Sequence, residues 1–462
     1  MSDEWPVFAG DTIDRALVVG LAVTGRAVTD ALLRRDIAVI AADDKPSEAA
    51  RVAAADRSVE LVEAPDSTQL EQMLKAADVA IPSPGVPRHH DVYRLADDLG
   101  VPVVSELDLA AMWDQRPMIA ITGTNGKTTV TTLVTAMLRR GGIEAVAAGN
   151  VDIPLVEAID RTTEPRAEWF VVEASSFRLE RVTRFAPRVG AWLNLAPDHL
   201  DWHPDMSAYE AAKARIWANN GEDDVMVIPA LDETIAAYAA AAPGRVLTFG
   251  GDGDVCVVDD HLVCRCDGSV HSIIAIDDLP RRLPHDVANA AAAAACAIAA
   301  GVDVDAIALE LRAFTGLPHR MALIGTVEGV DYYDDSKATT PEATVAAVKG
   351  FGAAVLIAGG KNKGLDLSTL ALAAEHLSAV IAIGEAASAV ASVFDGLVPV
   401  VMADSMSSAV AAAGQIANAD AVVLSPACAS FDWYANYADR GDDFARIVDG
   451  LVAQTSSKEG SS

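Results

Sequence analysis

Short, almost wholly apolar runs rich in Val, Ile and Ala recur along the chain, each followed by an Ala/Leu-rich stretch with helical spacing. A run that is apolar at successive rather than alternate positions reads as a strand covered on both faces. Its alternation with helices is the pattern of parallel α/β sheets. In the first section "ALVVG", "IAVIAADD", "VAIPSPGV" and "VPVVSE" are the predicted strands. "WDQRP" (Trp113 to Pro117) reads as a linker before a new strand, "MIAITG". A second series ends at "FTGLPHR", where Gly316 and Pro318 mark another boundary. A third follows through "AAVLIAGG", "AVIAIG", "VPVVMA" and "AVVLSPA". The expected architecture is three consecutive α/β domains, 1–114, 115–318 and 319–454, with a flexible polar tail at 455–462. A length of 462 residues agrees with that number of cores.

Composition narrows the function classes. Apolar residues make up 51% and charged residues 22%, as in folded globular chains. The longest apolar run, Ala290 to Ala300, is too short to span a bilayer and reads as a buried helix. Asp3 and Glu4 near the start, without a basic segment, give no secretory signal, so a cytoplasmic location and no membrane insertion are expected. A net charge of −31 opposes binding to nucleic acid or anionic lipid. The cysteines (256, 264, 266, 296 and 428) are odd in number and form no CxxC pair, so free thiols in a reducing compartment are expected. Lysine is scarce, and Lys127, Lys213, Lys337, Lys361 and Lys363 all fall in motifs bearing Gly, Asp or Asn. Rare ammonium groups beside such loops point to bound anions.

The sharpest motif is "ITGTNGKTTV", residues 121–130. It resembles a Walker A loop shortened by two residues, between a β-type run and an amphipathic helix. Backbone N–H groups from Gly123 through Thr124, Asn125 and Gly126 to Thr128 would face an anion at a helix N-terminus. Lys127 would neutralise β/γ-phosphates, and the Thr128 hydroxyl would reach Mg²⁺. "EWFVVEASSFRLE" ends a strand on Glu173, a carboxylate well placed to hold a cation, although an acid ending a strand is more often a helix cap or plain surface. "NLAPDHLDWHPDMSAYEAAKARIW" supplies Asp198, His199, Asp201, His203 and Lys213, any of which alone could be a surface residue.

Asn289 sits on the Ala-rich helix, and "GLPHRM" places His319 and Arg320 at the second boundary. "YYDDSKATTPEAT", "LIAGGKNKGLD" and "LSPACASFDWYANYADRGDDF" each follow a strand, where ligands bind in open parallel sheets. In the first section Gly20, Ala22 and Gly25 make a dinucleotide-type turn lacking its middle glycine, with Asp43 and Asp44 about twenty residues on.

Taken in order over essentially the whole chain, GTNGKT, E-x-SSF-x-LE, N-x-x-x-DHLD, Lys213, GLPHR, DDSKATTPEAT, GG-x-x-KG and LSPACASFD resemble the Mur ligases of bacterial cell-wall synthesis. DSKATTP and SPACASFD are most similar to the D-glutamate-adding branch. The resemblance implies a Rossmann-like UDP-binding domain, a P-loop-like ATPase domain and a Rossmann-like C-terminal domain that delivers the amino acid. It implies an ATP-dependent amide ligase joining D-glutamate to UDP-N-acetylmuramoyl-L-alanine through an acyl phosphate.

By motif, Lys127, Glu173, His199 and Lys213 would be catalytic, and Thr128, Glu173, His199 and Lys213 would hold two Mg²⁺ ions. Lys213 would do so as a CO₂-derived carbamate. ATP, the co-substrate, would meet Gly123 to Thr129 (Thr129 included), Asn289, Arg320 and Asp335. The UDP-sugar would meet Val23, Thr24, Gly25, Asp43, Asp44, Lys45, Ser83, Gly85 and Asn150. D-Glutamate would meet Lys337, Thr339, Lys363, Ser430, Phe431 and Tyr437. The partners implied are these small molecules alone, acting on a monomer. Three positions depart from the family pattern: Lys45 replaces a common Arg, Lys361 a frequent Asp, and Tyr437 a Phe.

Three rival readings stand beside this one. Another amide ligase of the superfamily, such as a folylpolyglutamate synthase, would share the ATP loop. An NAD-dependent oxidoreductase would use the first section, and a nucleotide-binding regulator would need no turnover.

Overall fold

The computed structural model describes residues 13–150, 153–161, 166–200, 202–266, 268–416 and 419–459. Asp201 of the DHLD motif, residues 1–12 of the first section and residues 460–462 of the tail lie outside them. The chain forms two compact units, one built from residues 1–279 and 287–313, the other from 280–286 and 314–462.

The first unit contains two sheets. Strands β1 (Arg15–Val19), β2 (Ala38–Asp43), β3 (Glu60–Glu63) and β4 (Val79–Pro82) are parallel, in the order β3-β2-β1-β4. Ala16 and Val18 enter one core while Leu17 and Val19 enter another, so the sheet is covered on both faces, as its unbroken apolar runs require. The second sheet runs β13-β12-β11-β10-β9-β8-β5-β7-β6. Its strands are β5 (Met118–Thr122), β6 (Ala145–Gly149), β7 (Trp169–Glu173), β8 (Val189–Trp192), β9 (Val225–Pro229), β10 (Arg245–Phe249), β11 (Val255–Val258), β12 (His261–Cys266) and β13 (Ser269–Ala275). One core extends from Ala16 to Ala239 and so joins the two sheets. Asp160 adds ion pairs to Arg34 at 2.8 Å and Arg35 at 2.7 Å.

The second unit has a sheet ordered β14-β15-β19-β16-β17-β18. Its strands are β14 (Ala322–Val327), β15 (Val330–Asp334), β16 (Ala354–Gly359), β17 (Leu377–Ile383), β18 (Val400–Ala403) and β19 (Ala421–Ala427). Ala354, Leu356 and Ala358 pack on one side, Val355 and Ile357 on the other.

These orders fix where ligands can bind. After β1 the chain builds β2 and β3 on one side and β4 on the other. After β5 it builds β6 and β7 on one side and β8 on the other. Loops leaving β1 and β5 therefore splay apart at their carboxyl ends, opening a crevice at each.

Four local expectations differ. "VPVVSE" makes one isolated bridge, Val103 to Ala80, because Pro102 has no ladder N–H and Ser105 instead caps the helix Glu106–Trp113. β3 escaped notice because its two apolar residues are flanked by Glu60 and Glu63. The strands β11 to β13 are antiparallel, turned by Asp259 and Asp260 at φ 47° and 58°, the positive values that a two-residue hairpin demands. The helix Tyr437–Glu459 continues through most of the expected tail, since no Gly or Pro interrupts residues 451–459.

The Ala-rich run is helical within Pro284–Ala299 and buried from Ala290 to Ala297. Among the described residues no helix is long and apolar enough to cross a membrane. Cys256, Cys296 and Cys428 are buried free thiols, whereas Cys264 is disulfide-bonded, against the expectation of free thiols throughout.

Candidate active site

The loop after β5 needs glycine at two places. Gly123 has φ 150° and Gly126 φ 84°, and a Cβ at Gly126 would lie 2.4 Å from Asn289 Oδ1. That close approach puts Asn289 against the loop that the motif assigns to ATP. Asn194 braces the loop with its whole amide. Its Oδ1 accepts from the N–H groups of Thr124 (3.0 Å) and Asn125 (2.9 Å), and its Nδ2 donates to Asn125 O (3.1 Å). Thr124 is tied down further by the backbone of Ala196 and by the Tyr209 hydroxyl, 3.2 Å away. Asn194 begins the N-x-x-x-DHLD motif, so the signal for its bracing role was present but unassigned. Thr128 and Thr129 occupy the first turn of the helix Lys127–Arg140.

Two lysines converge on this loop. Lys127 Nζ donates to Gly123 O and Thr124 O at 2.8 Å each, and Lys213 Nζ donates to the same Gly123 O at 2.8 Å. Lys213 is 1% exposed, with its Nζ 4.4 Å from the Tyr209 ring centroid. Burial, reinforced by the nearby Lys127 ammonium, pushes its pKa well below the ordinary lysine value. Lys213 is thereby biased toward a neutral, nucleophilic amine.

Glu173 ends β7 and is 3% exposed. Its Oε1 accepts from Asn150 Nδ2 at 3.0 Å, while Oε2 is buried without a hydrogen-bond partner among the described residues. A buried carboxylate left half-satisfied suits a cation. His199 has φ 54° and packs against Phe177 with ring centroids 4.7 Å apart. Its Nε2 is 3.4 Å from an Asp198 carboxylate oxygen. His203 is fully buried, with Nε2 3.0 Å from Ser176 Oγ, and burial lowers its pKa. Among the described residues no group of three or more His, Cys, Asp and Glu side chains is poised for a metal. A cation here would need the hydroxyl of Thr128 or a modified lysine as well.

The crevice at β1 is a cavity of about 670 Å³. Val23, Thr24, Asp43, Asp44, Lys45, Ser83, Gly85 and Asn150, all sequence candidates, line it. Gly25 does not. A Cβ there would fall 1.9 Å from Gly20 O, so this glycine serves the tight packing of the helix Val23–Leu33 on its turn. Asp43 holds the turn too, accepting from Leu21 N at 2.7 Å and Lys45 N at 2.9 Å. His90, Phe177, Arg178 and Trp202 line the cavity without having been anticipated. They come from separate segments that only the tertiary fold assembles. Asn150 reaches both this cavity and Glu173, and Phe177 reaches both the cavity and His199.

In the second unit the remaining candidates cluster at the carboxyl ends of β15, β16 and β19. Asp335 is buried against Ser425 Oγ (2.8 Å) and Met321 N (3.2 Å), and burial raises its pKa to about 7. His319, at φ 59°, places Nδ1 2.7 Å from Asp334 and lies edge-on to Tyr437. Arg320 is in the same segment, hydrogen-bonded through its N–H to Leu317 O. Lys337 Nζ stands 5.1 Å from the Tyr437 ring centroid, and Lys363 Nζ 4.8 Å from that of Phe431. Ser430 is buried beside Phe431, Thr339 is half-buried, and Lys361 and Lys363 are exposed.

One residue that sequence reasoning missed ties these loops together. Arg440, 1% exposed, donates to Ser336 Oγ (2.9 Å), Ser336 O (2.8 Å) and Cys428 O (3.1 Å). Ser336 Oγ in turn donates to Tyr437 O at 2.8 Å. Burial lowers the Arg440 pKa to about 10, which leaves it charged at neutral pH.

Comparison with known proteins identifies the relatives of this chain. Residues 121–297 match the Mur ligase middle domain, and residues 319–428 match the Mur ligase glutamate ligase domain. A UDP-N-acetylmuramoylalanine--D-glutamate ligase of Frankia casuarinae is 41% identical over 449 residues, 94% of this chain and 93% of its own. Its counterpart in Pelotomaculum thermopropionicum is 36% identical, covering 95% of this chain and 98% of its own. Among solved structures, MurF ligase from Thermotoga maritima in complex with ADP superposes with TM-score 0.58 at 15% identity, covering 95% of each chain. MurC from the same organism gives 0.54 at 17% identity, over 95% of this chain and all of its own. The short phosphate loop, the buried lysine on its carbonyl and the strand-end carboxylate thus lie in a chain that belongs to the Mur ligase family, among the UDP-N-acetylmuramoylalanine--D-glutamate ligases.

Proposed function

We propose that the protein joins D-glutamate to UDP-N-acetylmuramoyl-L-alanine, using ATP and passing through an acyl phosphate. The observation that carries this reading is the convergence of Lys127 and Lys213 on Gly123 O, one strand away from the half-satisfied Glu173. The three sections 1–114, 115–318 and 319–454 serve the UDP-sugar, ATP and the amino acid respectively, within a cytoplasmic monomer.

Glu173, Thr128, His199 and a carbamate on Lys213 would hold Mg²⁺, two ions being expected, and the buried unpartnered Oε2 of Glu173 supports that donor set. Bound Mg²⁺ supplies positive charge to the phosphoryl oxygens. A neutral Lys213 amine adds to CO₂ with loss of one proton, which replaces the amine by an anionic ligand.

ATP lies with its β/γ-phosphates at the Gly126–Thr128 end of the loop and the helix start behind it, the Thr124 and Asn125 N–H groups being held by Asn194, and Lys127 offsets charge on the phosphoryl group in transfer. The alanyl carboxylate attacks the γ-phosphorus and displaces ADP. The acyl phosphate so formed has phosphate as its leaving group. Lys337, Lys363, Thr339 and Ser430 orient the two carboxylates of D-glutamate, with Phe431 and Tyr437 as walls. The amine, having lost its proton to a base near His199, then attacks the acyl carbon. The tetrahedral adduct collapses to amide and phosphate.

The test is phosphate release from ATP measured with each substrate omitted in turn. Release should require both UDP-N-acetylmuramoyl-L-alanine and D-glutamate. Release supported instead by a folate acceptor, or absorbance change with a nicotinamide cofactor, would replace the reading.

A further inference from the structure

Arg178 fills one of the two positions that the E-x-SSF-x-LE pattern leaves unspecified. It is 8% exposed, yet it lines the 670 Å³ cavity at β1. Its Nη1 donates to Glu106 Oε2 at 2.6 Å and its Nη2 to Thr24 Oγ1 at 3.1 Å. Its Nε is buried and has no hydrogen-bond partner among the described residues. A buried guanidinium N–H left without an acceptor carries an uncompensated desolvation cost unless something else accepts from it.

The neighbourhood indicates what that acceptor is. Thr24 lies in the first turn of the helix Val23–Leu33, whose N-cap, Ala22, offers no side-chain acceptor to the first-turn N–H groups. An uncapped helix start beside a buried Arg fork is arranged for an anion with several oxygens. Glu106 is itself pinned, because its Oε1 accepts from Val156 N at 2.9 Å. The carboxylate therefore fixes the orientation of the guanidinium.

We propose that Arg178 is a substrate-binding residue that donates hydrogen bonds to the diphosphate of the nucleotide-sugar. The proposal rests on reading this cavity as the UDP-sugar site. Because the Arg178–Glu106 pair is neutral overall, its contribution comes from directed hydrogen bonds and not from long-range attraction.

A structural staple, linking Thr24 of the first sheet to the segment after β7, is the competing role, and the phosphate dependence of binding separates the two. Calorimetry would compare uridine with UDP on the full-length wild-type protein, Arg178→Gln and Arg178→Lys. Arg178→Gln should weaken UDP by about tenfold or more, the scale of a lost hydrogen bond to a charged group, while uridine changes by less than about twofold. Arg178→Lys should recover part of the UDP affinity. Equal weakening of UDP and uridine, unchanged UDP binding, or loss of folding in both variants would each make Arg178 a staple and overturn the proposal. Failure of the wild-type protein to bind UDP would instead reject the cavity assignment, and this inference with it.

Discussion

Lys213 shows how a residue ordinary in sequence becomes chemical by placement. A lysine in the last turn of a short helix is usually solvated, but here it is 1% exposed and donates to the phosphate loop. Carbamylation would set an anion beside Lys127, whose ammonium shares the same carbonyl. Lys213→Ala should therefore lose nearly all activity. Short carboxylic acids added at high concentration should partly restore it by supplying the missing anion. Full activity of Lys213→Ala without any additive would exclude the carbamate. This residue's candidacy was legible from its motif, whereas its burial was not, because Tyr209 and Gly123, which enclose it, are distant in sequence from one another.

Among the elements, the strands were legible wherever an apolar run was continuous, since strands such as β1, β5 and β16 are buried on both of their faces. β3 and β13 were not, because short or half-exposed strands lack that unbroken run. The same distinction holds for the site. Gly-rich loops and their lysines announce themselves locally, while Asn194, Arg178 and Arg440 act by reaching across the fold. Arg440 fastens the loop after β15 to the loop after β19, and Ser336 passes the link to the helix Tyr437–Glu459. Arg440→Ala would leave the carbonyls of Ser336 and Cys428 without these donors, a loss of about 3 kcal/mol for two buried acceptors. The corresponding fall in Tm, of roughly 5–10 °C, is measurable by thermal denaturation, and D-glutamate affinity should fall with it. An unchanged melting temperature would show that the loops hold their shape without Arg440.

At the scale of the whole molecule, the three sheets each offer a crevice or loop cluster at strand carboxyl ends, and each carries a different set of candidates. The cavity at β1 has the uncapped helix start, the loop after β5 has the paired lysines, and the second unit has cations set beside aromatic rings. Lys363 beside Phe431 and Lys337 beside Tyr437 provide two separated positive centres, as a dicarboxylate amino acid requires. Such a site discriminates by geometry, because inverting Cα moves one carboxylate or the amine out of place. The most direct measurement is therefore phosphate release from ATP and UDP-N-acetylmuramoyl-L-alanine, with D-glutamate and L-glutamate compared as acceptors. The account predicts a kcat/KM at least about a hundredfold higher for D-glutamate, equivalent to one or two lost charge-assisted hydrogen bonds. Equal or better use of L-glutamate would contradict it.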